Sequence, residues 1–136
     1  MVIGYTTGVF DVFHIGHLNI LRNAKALCDR LIVGVSTDEL VKEKGKKVIV
    51  SFKERIEIVR AIKYVDLAIP QERINKVEEW YRLRFDKVFV GDDWLDNKDW
   101  RDYQFTLTQR GVKFYYFPYT KTVSSTLRRA RLYDSI

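Results

Sequence analysis

Five short apolar runs, 3–9, 31–36, 65–69, 87–91 and 113–118, recur along the chain and are separated by segments with a different period. Each run is rich in β-branched or aromatic residues and nearly continuous in hydrophobicity, as strands covered on both faces are. Between the first two, Ile20, Leu21, Ala24, Leu27, Cys28 and Leu31 fall on one side of a helix expected over 16–29. The segment "SFKERIEIVRAIKYV" opens with Ser51 and Glu54 at capping-box spacing, then sets Ile56, Val59 and Ile62 at helical spacing. Further helices are expected over 74–84 and 99–110, the second stopped by Gly111, and a last one from Ser124 or Ser125 through Leu132. No two-residue hairpin turn of the Asn-Gly kind joins neighbouring strands.

Strands that alternate with helices need crossover connections, which the chain can satisfy only with strands that run the same way. The expectation is an α/β fold: a single Rossmann-like domain over residues 1–136, with a five-stranded parallel sheet and helices on both faces. In such sheets ligands bind beyond the carboxyl ends of the strands. The segments with the most chemistry, "TTGVFD", "STDE", "GDDW" and "YTKTVSST", each follow a strand.

Composition narrows the function classes. No apolar run approaches the ~20 residues of a membrane span, and the opening "MVIGYTTGV" lacks the layout of a signal peptide, so a cytoplasmic location is expected. The lone Cys28 excludes an internal disulfide and reads as a small core residue. A net charge of +6 suits an anionic partner. The basic residues lie in loops and at helix ends, without the aromatic-interleaved stripe of a nucleic-acid surface, so no nucleic acid is expected as a partner.

Both histidines of the chain, His14 and His17, lie in "TTGVFDVFHIGHLNIL". Gly8 ends the first strand, where a glycine lets backbone approach a ligand, and a helix begins near Gly16. Its N-terminus carries about half a positive charge and unpaired N–H groups, a ready phosphate site. At i, i+3 the two imidazoles lie on the same side of the first turn and offer N–H donors to phosphate oxygens. An H-x-x-H pair also suits a metal, but the chain has no third histidine and Cys28 lies on the core face. No metal held by protein side chains is therefore expected. The lysines of "KEKGKKV", Lys42, Lys44, Lys46 and Lys47 around Gly45, follow the second strand and bring further positive charge to the same end of the sheet.

"GVFDVFHIGH" resembles the G-x-F-D-x-x-H-x-G-H signature of the nucleotidylyltransferase superfamily, matching seven constrained positions without a gap. The resemblance extends through "STDE", "KEKGKKV", "SFKER", "KYVDLAIP" and "FVGDDW" over nearly the whole chain, and is closest to the bacterial glycerol-3-phosphate cytidylyltransferases. It implies transfer of CMP from CTP to a phosphorylated small molecule, glycerol 3-phosphate foremost, with Mg²⁺ carried by the triphosphate and a homodimer as the assembly. It also implies catalytic roles for His14, His17, Lys44 and Arg55. Gly8, Val9, Phe10, Lys46, Asp92, Tyr119, Ser124, Ser125 and Thr126 would bind the nucleotide together with the histidines, and Asp11, Asp38 and Lys44 the acceptor. Phosphocholine, phosphoethanolamine or ATP chemistry, or nucleotide binding without turnover, are the alternatives that the same resemblance carries. Near the last helix relatives carry R-T-E-G-I-S-T-T or R-T-Q-G-V-S-T-T; here Tyr119, Lys121 and Thr122 replace the arginine, the acid or amide and the glycine.

Overall fold

A parallel strand pair cannot be closed by a tight turn, and every connection between strands here is long enough to hold a helix. The computed structural model describes residues 1–91 and 98–118. Strands β1 (Ile3–Gly8), β2 (Arg30–Ser36), β3 (Leu67–Gln71), β4 (Lys87–Gly91) and β5 (Lys113–Phe117) form one sheet in the order β3-β2-β1-β4-β5, with each neighbouring pair parallel. Helix α1 (Ile15–Lys25) joins β1 to β2, α2 (Asp38–Glu43) and α3 (Phe52–Arg60) join β2 to β3, α4 (Lys76–Leu83) leads to β4 and α5 (Lys98–Thr108) to β5. The expected α/β fold with five parallel strands is the observed one.

The strand order reverses direction after β3, and this sends successive helices to opposite faces. Leu31, Val33 and Val35 of β2 pack with Leu21 and Ala24 of α1 and Ile56 and Val59 of α3. Ile32, one residue out of phase, packs with Tyr5, Val88, Trp100 and Leu107 on the face that α4 and α5 cover. Removing Leu21, Leu31, Val33, Val35 and Val59 from water contributes about 1.5–3 kcal/mol each to holding the layers together. The carboxyl ends of β1, β2 and β3, side by side, are followed by the histidine turn, by α2 with its lysines and by α4.

Several boundaries differ from the sequence expectation for identifiable reasons. Strand β3 starts and ends two residues later than expected, because it is an edge strand and Pro70 sits in it without a missing ladder bond. Helix α1 stops at Lys25, which leaves Leu27 exposed and Cys28 half-buried. Helix α3 is nine residues long, and Ile62, Tyr64 and Val65 pack on the core from the turn that follows it. Ser51 is the N-cap of α3, but its side chain makes no capping bond; the Asp38 carboxylate accepts the Phe52 N–H instead, at 3.1 and 3.2 Å to its two oxygens. The expected last helix lies outside the described residues.

Gly34 of β2 marks the closest approach on the α4 face. A Cβ there would stand 2.7 Å from the Tyr5 hydroxyl and 3.0 Å from Thr7 Cγ2. Gly34→Ala is expected to lower the unfolding free energy measured in urea by about 1–3 kcal/mol, the usual cost of overpacking. Because the first collision is with a hydroxyl, Tyr5→Phe in the same chain should restore part of the loss; no restoration would place the strain elsewhere.

Candidate active site

The turn after β1 is built from unusual backbone. Phe10 and Val12 both take left-handed conformations, φ 54° and 48°, and Val12 is β-branched, for which this is a costly choice. The reason lies in packing: the turn folds Phe10 back so that its ring is buried in the α1–α3 core. Gly8 is needed for that fold-back, since a Cβ there would meet the Phe10 ring at 3.0 Å. The space that sequence reading reserves for a ligand beside Gly8 is, on its Cβ side, filled by Phe10. Gly45, after α2, also has positive φ, the reason for a glycine among the lysines.

This turn delivers the two histidines to the start of α1 in a defined state. His14 is the N-cap, and its Nδ1 accepts the Gly16 N–H at 3.0 Å; His17 Nδ1 accepts the His14 N–H at 3.2 Å. A capping box forms here from two imidazoles, in place of the usual hydroxyl and carboxamide. A ring nitrogen that accepts carries no proton, so each neutral ring has its N–H at Nε2 and is a donor there. The rings stack at 4.0 Å between centroids, and His17 is held further by Phe10 and Phe13 at 5.5 and 5.2 Å. Caps and aromatic contacts thus fix ring orientation before any ligand arrives.

The second half of the site is fastened to the first by charge-assisted bonds. Asp11 is fully buried, and its two oxygens accept the N–H groups of Ile49 and Val50 at 3.0 and 2.9 Å. It ties the segment after the lysines to the histidine turn. Arg55 is also fully buried. Its Nε donates to the Val50 carbonyl, Nη1 to those of Val9 and Ser36, and Nη2 to the Asp38 carboxylate at 2.8 Å. Four of its five N–H groups therefore hold protein atoms, so Arg55 braces the site instead of confronting substrate with an open guanidinium. Asp38 is committed to Arg55 and to the start of α3, although about half of its side chain remains exposed. The Val9 contribution to the site visible here is its carbonyl, as the anchor of Arg55.

Lys44, the C-cap of α2, turns its ammonium inward to Ser36 Oγ at 3.3 Å. Burial, with the positive charges of Lys76 and Lys46 nearby, pushes it down to about 8. Lys46 itself is exposed. Lys76 at the start of α4 is buried with Glu79, Nζ to Oε1 3.5 Å, over the rings of Tyr5 and Trp100. Burial lowers the Lys76 pKa and Glu79 pulls it back up. Burial beside the same carboxylate raises that of the Tyr5 phenol. Sequence reading missed Ser36, Gln71 and Glu79 as parts of this polar interior. The available signal was the i, i+3 spacing of Lys76 and Glu79; nothing local announces that both would be buried. Asp92, Tyr119, Ser124, Ser125 and Thr126 lie outside the described residues.

The arrangement brings together a helix N-terminus, two imidazole donors and an ammonium, on a frame of buried Asp11 and Arg55. Such a set stabilises several negative charges held in line and lacks a nucleophile–base pair. Among the described residues no three His, Cys, Asp or Glu side chains gather to hold a metal ion, and no helix is long and apolar enough to cross a membrane.

Comparisons with known proteins agree with this chemistry. The family model described as cytidylyltransferase-like matches residues 5–131. A glycerol-3-phosphate cytidylyltransferase from Bacillus subtilis (strain 168) is 34% identical over 122 residues, covering 89% of each chain. An FAD synthase from Archaeoglobus fulgidus is 39% identical over 94 residues, 69% of this chain and 68% of that one. Among solved structures, the lipopolysaccharide core biosynthesis protein from Thermoplasma volcanium GSS1 superposes with a TM-score of 0.73 at 27% identity, over 88% of this chain and 97% of that one.

The double duty of His14 can be separated by substitution. His14→Ala removes the acceptor for the Gly16 N–H and should lower stability by about 1 kcal/mol, the usual worth of an N-cap. His14→Asn supplies a good cap oxygen and should unfold within ~0.5 kcal/mol of the parent in urea. Equal losses in the two variants would show that the imidazole contributes through packing and not through the cap.

Proposed function

The chain belongs to the cytidylyltransferase-like family, and on that premise we propose that it transfers CMP from CTP to a phosphorylated small molecule, glycerol 3-phosphate, giving CDP-glycerol and pyrophosphate. The observation that carries this reading is the pair of capped, stacked histidines at the start of α1, with Lys44 brought in over the ends of the neighbouring strands.

An acceptor phosphate is already ionised at neutral pH, so its oxygen attacks the α-phosphorus of CTP without a general base. The new P–O bond forms as the bond from the α-phosphorus to the bridging oxygen breaks, and the electron pair leaves with pyrophosphate. What remains for the protein is alignment and neutralisation. The Nε2–H groups of His14 and His17 donate to phosphate oxygens, and the first turn of α1 adds its dipole. Lys44 draws in the acceptor phosphate and exposed Lys46 the nucleotide phosphates. Asp11 and Arg55 keep the two halves in register. Asp11 and Asp38 are engaged by amides and by Arg55, so Mg²⁺ fits this site as a companion of the triphosphate, held by its oxygens. Bound there, it would shield the phosphate charge and favour departure of pyrophosphate. The family resemblance supports a homodimer, which light scattering would read. The likeness to an FAD synthase favours one second reading, adenylyl transfer to a phosphorylated acceptor.

Pyrophosphate release measured with four nucleoside triphosphates against a panel of phosphorylated acceptors, with Mg²⁺, tests both readings. CTP with glycerol 3-phosphate is expected to give the highest kcat/KM. Release with ATP and a flavin phosphate alone would favour the second reading, and no release with any pair would sink both. His14→Ala and His17→Ala should each lower turnover at least ~100-fold, the scale of one lost transition-state donor.

Lys44 predicts a pH dependence. Its ammonium is charged below about pH 8 and neutral above it. The kcat/KM for the acceptor should therefore fall on the alkaline side with a midpoint near that pH, since this parameter reports the free enzyme. Lys44→Arg, whose charge does not titrate in this range, should abolish the limb even if the rate is lower. An unchanged limb in that variant would assign it to another group.

A further inference from the structure

The parallel register of β2 and β3 sets their last residues, Ser36 and Gln71, side by side. Both are buried; Ser36 opens the "STDE" segment, and Gln71 lies outside the motifs that signal the reaction. Ser36 Oγ lies 2.8 Å from Gln71 Oε1 and 3.3 Å from Lys44 Nζ. Gln71 Nε2 reaches the Arg73 carbonyl at 3.2 Å and Glu79 Oε1 at 3.4 Å. Chemistry fixes the direction of every link. An ammonium only donates, so the Ser36 hydroxyl accepts from Lys44 and gives its own proton to Gln71 Oε1. The Gln71 amide group faces a carbonyl and a carboxylate, so that end must be the NH₂. All donors point from the Lys44 cation towards the Glu79 anion.

We propose that Gln71, anchored on Glu79, is a positioning residue that holds Lys44 over the acceptor site through Ser36. Without the relay, little keeps a long, flexible lysine side chain folded inward. Desolvation disfavours its charge, and Lys76 from α4, Lys46 from its own segment and Arg55 from α3 repel it. Among the described residues, Glu79 is the charged group that attracts it. The relay transmits that attraction as oriented hydrogen bonds and fixes where the charge sits. The assignment of Lys44 to the acceptor rests on the function proposed above; the relay itself does not.

Two readouts test it on the full chain. In the first, ligand-free protein is acetylated with limiting acetic anhydride across pH, and labelling of Lys44 is followed by mass spectrometry. Gln71→Leu should let the ammonium swing into water, so its midpoint moves from about 8 towards the ordinary lysine value and labelling at pH 8 slows by about tenfold or more. Ser36→Ala should do the same, and serves in its place if Gln71→Leu does not fold. An unmoved midpoint in the folded variants overturns the proposal.

In the second readout, Gln71→Leu should raise the KM for the acceptor about tenfold, the scale of one charge-assisted bond, with kcat and the KM for CTP within about twofold. In a Lys44→Met background it should have no further effect, because residues acting through one another do not add. An equal loss in both backgrounds would make Gln71 merely structural and overturn the proposal. If wild-type protein turns over no substrate pair, the proposed function fails while the labelling result still decides the relay.

Discussion

The buried guanidinium of Arg55 joins three pieces of chain that the sheet alone would leave independent: the turn after β1 through Val9, the end of β2 through Ser36, and the segment before α3 through Val50. A charge in such a place is tolerable only when nearly every N–H finds an acceptor, and the carbonyls supplied are those exposed where strands end. Asp38 completes the set with a formal charge and also caps α3, so the helix that carries Arg55 is started by the residue that neutralises it. Asp11 works in the same direction from the other side, gripping two amides of the segment that Arg55 also holds. The frame determines where the histidine turn and the segment after α2 stand.

The histidine turn shows a similar economy of parts. Two left-handed residues are a strained way to leave a strand, yet they bury Phe10 and bring His14 to the N-cap. The imidazoles then serve the helix with one nitrogen and are donors at the other. Because Nδ1 is already used, the tautomer is set by the fold and not by the ligand. Preorganisation of this kind is what phosphoryl-type transfer asks of a protein, since the substrates bring their own nucleophile and leaving group.

Some of this was legible along the chain and some was not. The His14–His17 pair, the lysine cluster and Arg55 were marked by motif and spacing, and the parallel sheet by the alternation of apolar runs with helical periods. The tasks of Asp11, Arg55 and Asp38 were not legible: a charged residue in a motif reads as a ligand contact, and only the folded chain shows which amides and side chains its bonds hold. Ser51 had the right spacing for a capping box and lost the position to Asp38, fourteen residues earlier than the N–H it accepts. The run expected over 65–69 is a strand over Leu67–Gln71, and its edge position is a property of the sheet order. Gln71 gave no local sign, Glu79 only its i, i+3 spacing from Lys76 and Ser36 only its place in "STDE", since their association depends on the register of two strands and the crossing of α4.

By itself the sequence determined the fold class, the end of the sheet where chemistry occurs and the reaction type, because hydrophobic period and a dense local motif are properties of neighbours in the chain. The tertiary structure alone decided which charges are spent on holding the frame. It also set the depressed pKa of Lys44. Those depend on desolvation and on partners tens of residues away, and neither exists until the strands are aligned and the helices laid across them.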